Sequence, residues 1–129
     1  MTTDIPLTQS QLDAFVRDGF LHIPGFIPES ELTQPDSDSM ALIERGLNDP
    51  EVDDRWLYQD DPETGQDHCH YRINGILKDD MPPSFQILMA YPPLLKAVSK
   101  LMNGDHFATS VHSLVFKLPQ HGVPALWHQ

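Results

Sequence analysis

Residues 112–129 read HSLVFKLPQHGVPALWHQ, and the way this stretch folds sets the class of the whole chain. With the residues just before it, HFATSVHSLVFKLP predicts a long strand over 107–118, because β-branched and aromatic side chains suit a pleated, half-buried surface. Pro119 and Gly122 mark a turn. PALWHQ then begins another strand, ending on Trp127, His128 and Gln129. No cap, turn or polar tail follows. The expectation is that the sequence stops inside a motif whose next residue matters.

Immediately upstream, YPPLLKAVSKLMNG (91–104) is the clearest helix. Pro93 suits its first turn. Leu94, Leu95, Val98, Leu101 and Met102 form the expected buried stripe, Lys96 and Lys100 stay on the wet side, and Gly104 ends it. At the other end of the chain, LTQSQLDAFVRDGF opens a helix. Thr8 is the N-cap, Gln11 completes a capping box, and Gly19 supplies the left-handed position that stops it. FLHIPGFIP (20–28) reads as a short apolar strand broken by Pro24-Gly25, with His22 an ordinary strand residue.

The middle is less regular. Pro35 is expected to interrupt any helix through ESELTQPDSDS. A second short helix, capped by Asp38 or Ser39, would follow over MALIERGL with Met40, Ile43 and Leu47 on one stripe. Residues 48–71 are acidic and turn-rich and read as a long surface loop. HCHYRINGI then reads as a strand. Period-two alternation would put His68, His70 and Arg72 on one face and Cys69, Tyr71 and Ile73 on the other.

The order of elements gives an α+β chain: a helical layer with short strands and an acidic loop over 1–104, and the first core strands over 105–129. One partial domain over 1–129 accounts for the length. The chain has 19 acidic and 8 basic residues, a net charge of −11. That argues against nucleic acid and anionic membrane surfaces, which need clustered Lys and Arg. One cysteine, Cys69, allows no internal disulfide and suits a reducing, cytoplasmic setting. No apolar run reaches the roughly 20 residues of a membrane helix. Asp4, Asp13, Arg17 and Asp18 interrupt the first 20 residues, so these are not expected to act as a signal peptide.

The chemistry sits in the last residues. On a strand, a His-x-acid pair aims one imidazole and one carboxylate at a single point. A further His from a distant strand completes the 2-His-1-carboxylate face of a non-haem Fe(II) site, with the opposite positions open. WHQ supplies the His and the spacer, and the acid would be the next residue. Three anchors in order carry a family resemblance: LTQSQLDAFVRDGFLHIPGFIP, PPLLKAVSKLMNGDH and HSLVFKLPQHGVPALWHQ. Together the chain resembles the N-terminal part of the phytanoyl-CoA dioxygenase family of Fe(II)/2-oxoglutarate enzymes, with a looser fit over 30–70.

That resemblance implies N-terminal helices packed on the start of a double-stranded β-helix, a jelly-roll or cupin-like core. It implies Fe(II) as metal, 2-oxoglutarate as cosubstrate and a small-molecule substrate to be hydroxylated. His128 matches the first iron ligand. Arg72, His112 and Lys117 fall near positions that contact the cosubstrate or line its pocket. The Asp, the second His and the Arg that grips 2-oxoglutarate are not among these 129 residues, so the expectation is no activity from these residues alone. Two other readings remain open: a small acidic module that binds a protein partner, and a metal module using His68, His70 and His106 or His112.

Overall fold

The computed structural model describes residues 7–49, 51–61, 65–104 and 106–118. They form an α+β chain of four helices and one three-stranded antiparallel sheet. The chain divides into two compact units, Met1–Pro35 with Pro83–Ser110, and Asp36–Pro82 with Val111–Gln129. The turn at Pro119 and Gly122, the last strand and His128 lie outside the described residues.

The first unit opens with α1 (Gln9–Asp18). It is capped as its sequence predicts. The Thr8 hydroxyl accepts from the Gln11 amide at 3.3 Å, and the Gln11 side chain accepts from the Thr8 amide at 2.8 Å. Gly19, at φ 79°, closes the helix by donating its N–H to the Phe15 carbonyl at 2.8 Å. Without a Cβ it reaches this left-handed conformation at little cost.

Residues 20–27 are not a strand. Pro24 and Gly25 form a turn, with Gly25 at φ 68° and the Phe26 amide bonded to the Ile23 carbonyl at 3.3 Å. Burial does alternate at the start of this segment: Leu21 and Ile23 are half-buried while Phe20 and His22 are exposed. That pattern is satisfied by a helix instead of a ladder. Leu7, Leu21, Ile23 and Phe26 line an apolar concavity of about 240 Å³ with Leu94, Ala97, Val98 and Leu101.

Those last four residues belong to α4 (Pro92–Met102). Pro92 and Pro93 fill its first turn, where the missing N–H groups have no intrahelical partner anyway. The stripe is rotated from the expected one. Pro93 and Ala97 are buried, while Leu95 is 37% and Met102 66% exposed. The left-handed position after the helix is taken by Asn103 (φ 50°), one residue before the expected Gly104. Asparagine is the residue type that most readily substitutes for glycine there. A short helix absent from the sequence reading, α3 (Pro83–Met89), precedes α4 and buries Ser84 and Phe85.

Between these segments runs α2 (Glu29–Asn48), and the division between units falls inside it, after Pro35. The expected break at Pro35 does not occur. An interior proline costs about 3 kcal/mol, through a lost hydrogen bond and a clash with the preceding turn. Here the ring is itself buried. Glu29 and Glu31 favour the N-terminal turn, where the helix dipole is positive.

The second unit contains the sheet, in the order β1-β2-β3. The expected acidic loop is largely an antiparallel hairpin of β1 (Trp56–Asp61) and β2 (Gln66–Asn74). The acidic residues of WLYQDD hid a strand whose Trp56-Leu57-Tyr58 run is rich in β-formers. The strand β3 (Ser113–Val115) is far shorter than the predicted 107–118. Its partner limits it: β2 ends at Asn74 and the chain turns away at Gly75 (φ 71°), whose N–H closes the ladder on the His112 carbonyl at 3.0 Å. Leu42 on α2 and Trp56, Cys69 and Ile73 on the hairpin are among the buried side chains of this unit, with Ile73 at 0% exposure.

Candidate functional site

Strand β2 carries most of the chemistry-bearing residues of this unit, and its register decides where they point. Trp56 pairs with Ile73 and Leu57 with Arg72, but Tyr58 then pairs with His70. One residue of β2 is therefore extra, a β-bulge at Tyr71. A second irregularity lies between Gln59 and Asp61, where His68 takes φ 58°. Residues directly opposite in a sheet share a face, and neighbours along a strand alternate. His70 therefore lies on the face of Tyr58, and Arg72 on the opposite face, with Leu57.

The His-x-His-x-Arg alternation read from the sequence is thus undone by the bulges. His68 has an 88% exposed side chain, its Nδ1 3.7 Å from the Asp60 carboxylate. His70, two residues on, is only 2% exposed. No period-two rule locates a bulge in advance, because the signal is an extra residue in one strand relative to its partner.

Helix α2 covers the His70 face. The Trp56 indole donates to the Leu42 carbonyl at 3.0 Å, and the Tyr58 hydroxyl donates to the Gly46 carbonyl at 2.6 Å. Gly46 is buried, and a Cβ there would stand 2.5 Å from Trp56 Cδ1 and 2.7 Å from His70 Nδ1. Only glycine lets helix and sheet approach this closely. Arg45 and Arg55 lie over the Trp56 ring, 4.9 and 5.5 Å from its centre. Arg55 also bridges Asp53 at 2.6 Å and Asp80 at 2.8 Å. Its guanidinium holds the Asp53 carboxyl at about 2 and depresses Asp80 as well.

Within this shell the His70 ring stacks on Tyr58, with centroids 4.9 Å apart, and meets the edge of Phe116 at 4.6 Å. Both ring nitrogens are buried, and neither makes a hydrogen bond of good geometry. Burial pushes its pKa down. The Ile43 backbone opposes this more weakly. Burial also raises the Tyr58 phenol, with a smaller push from the Asp49 charge. The arrangement is a buried imidazole in an aromatic cage, where burial favours its neutral form.

The other face bears Arg72, whose Nε is buried and has no hydrogen-bond partner. Its register neighbours, Leu57 and Val115, offer no side-chain acceptor. His112 sits at the far end of the β2–β3 ladder, its Nδ1 accepting from the Leu77 amide at 3.4 Å. Lys117 is exposed just beyond β3. Arg72 pairs with Val115 in the ladder, His112 directly precedes β3, and Lys117 follows it by two residues. Among the described residues no three of His, Cys, Asp and Glu stand together as metal donors. His128, the expected metal ligand, lies outside the described residues.

No family model matches this chain, and neither a curated protein nor a solved structure resembles it significantly. No described helix is long and apolar enough to cross a membrane.

Proposed function

We propose that these residues are the N-terminal layer and first core strands of a non-haem Fe(II)/2-oxoglutarate dioxygenase similar to the phytanoyl-CoA dioxygenase family. The observation that carries the reading is the order of three sequence anchors: a capped helix leading into an apolar segment, a proline-started helix, and a β-rich run ending in Trp127-His128-Gln129. The architecture expected around them is a jelly-roll core.

Two structural features support the reading. An unpaired buried guanidinium nitrogen costs roughly 1–3 kcal/mol or more, so Arg72 calls for an acceptor, and a dicarboxylate such as 2-oxoglutarate supplies one. Val111 and Val115, at 73% and 64% exposure, flank and end the edge strand β3, as expected for a sheet that further strands would extend. His128 is the metal ligand the reading requires of this chain, joined by an acid directly after Gln129 and a more distant His. Bound iron with its cosubstrate would supply the hydroxylating oxidant. This chain's part is to supply His128 as a ligand and to offer Arg72 to an anion.

The test is made on the full-length product of the gene. The residue after Gln129 should be Asp. Fe(II)-dependent consumption of 2-oxoglutarate should fall at least a hundredfold in His128→Ala. Arg72→Met should raise the KM for 2-oxoglutarate about tenfold or more, the scale of a charged hydrogen bond of 1.5–3 kcal/mol. A natural stop codon after Gln129, or no 2-oxoglutarate turnover by the complete protein, overturns the reading. It would favour the acidic partner-binding module, to which the exposed Val16 (83%) and Phe20 (68%) would belong.

A further inference from the structure

We infer that His70 is a pH-sensitive latch: when its ring takes up a proton, Phe116 and the β3 edge of the ladder leave it, while α2, β1 and β2 stay joined. This does not rest on the proposed activity. It rests on a buried imidazole neither of whose nitrogens makes a well-formed hydrogen bond, and on the unequal strength of what holds its two sides.

A protonated imidazole carries two N–H donors and a charge, and both need solvent or acceptors. Neither nitrogen has an acceptor of good geometry in the folded unit. The charged and titratable groups around the cage offer no relief. On α2, Arg45 lies over Trp56 and would repel a second cation, while Asp49 acts on Tyr58. On β1, the Tyr58 hydroxyl already donates to Gly46, and Asp60 sits beside the exposed His68. On β2, Arg72 lies on the opposite face and is itself cationic. Beyond β3 the nearest charge is Lys117, again a cation. The protonation of His70 responds to desolvation and the Ile43 backbone, with no carboxylate acting on it. Charging the ring therefore requires one wall of the cage to open.

The walls differ. The α2 wall is fixed by two side-chain hydrogen bonds, Trp56 to Leu42 and Tyr58 to Gly46, and by the Arg45 contact over Trp56. The β1–β2 pairing extends from Trp56 to Asp61. The β3 wall is three residues of pairing, flanked by the Phe116 amide on the Tyr71 carbonyl at 3.1 Å and the Gly75 amide on the His112 carbonyl. Phe116 meets the ring only by its edge. The short ladder opens first, which bares the imidazole to water and leaves the rest of the unit assembled.

The experiment is a pair of pH titrations on the isotopically labelled chain. The His70 ring resonances give its protonation midpoint, and hydrogen exchange, corrected for intrinsic rate, is followed at the Phe116 amide and the Trp56 indole. The His70 midpoint should lie below the ordinary histidine value of about 6.5. Phe116 protection should fall by up to about tenfold per pH unit between that value and the midpoint, with Trp56 unchanged. In His70→Phe the Phe116 protection should be flat over the same range. An ordinary midpoint in the wild-type chain overturns the inference without any variant. So does loosening of Phe116 and Trp56 together, or a pH response that survives His70→Phe.

Discussion

Gly46→Ala is the most informative single substitution in this chain, because two effects of opposite sign meet there. In an exposed helix interior the change would stabilise by about 1 kcal/mol, since glycine loses the most backbone freedom. At Gly46 the new methyl would lie 2.5 Å from Trp56 Cδ1 and 2.7 Å from His70 Nδ1, well inside van der Waals contact. Neither neighbour can turn aside: Trp56 is 3% exposed and tied to Leu42, and His70 is 2% exposed between Tyr58 and Phe116. Overpacking of this kind costs about 1–3 kcal/mol. If α2 backs off, the Trp56 and Tyr58 bonds to its carbonyls weaken too, at about 0.5–1.5 kcal/mol each.

The contacts prevail over the propensity, and the net loss is about 1–3 kcal/mol. Urea unfolding followed by fluorescence would read this as a midpoint lowered by about 1 M, for a slope of 1–3 kcal/mol per molar. Gly104→Ala is the control. Its added Cβ meets nothing nearer than the Met102 carbonyl at 3.9 Å, and its stability should change by no more than about 0.5 kcal/mol. A Gly46→Ala chain as stable as the parent would refute the close helix–sheet approach on which the His70 cage depends.

Two further outcomes follow from local geometry. Thr8→Ala removes the hydroxyl that accepts from the Gln11 amide, and with it half of a capping box; it should cost about 0.5–2 kcal/mol, read as a lowered thermal midpoint. The Asp53 carboxyl is held at about 2 by its hydrogen bonds from Arg55. Its stabilising contribution is therefore present above the ordinary carboxylate pKa of about 3.9 and is lost as pH falls toward 2. Asp53→Asn should lower the urea midpoint at neutral pH and flatten the acid limb between pH 4 and 2, and an unchanged acid limb would show that Arg55 does not bind Asp53 in solution.

What the sequence made legible was local. The capping box at Thr8 and the stop at Gly19 are written in side chains three residues and one turn apart, so no distant partner is needed to read them. The start of α4 at its prolines is legible for the same reason. The strands were harder, because a strand is defined by its partner. Residues 20–23 show period-two burial yet lie against α4, and 107–112 have β-forming side chains but extend past the point where β2 turns away at Gly75. The hairpin was hidden by its acidic residues, and α2 by the rule that proline breaks helices. At the candidate site, Arg72 was singled out from the sequence and carries an unsatisfied buried nitrogen. His70 was grouped with His68 because alternation carried through the bulges pairs the wrong residues.

The extra residue at Tyr71 also acts as a registration key for the hairpin. A regular two-stranded ribbon can slide by two residues and still keep every apolar side chain on its side. A bulged strand cannot, because only one alignment sets the surplus residue between His70 and Arg72 and leaves Trp56, Tyr58, His70 and Ile73 together beneath α2. Any slip that moved the bulge would turn the Arg72 guanidinium under the helix or push His70 out of its cage. In a strand as polar as QDHCHYRIN, with little apolar pattern to hold the alignment, the irregularity specifies the pairing.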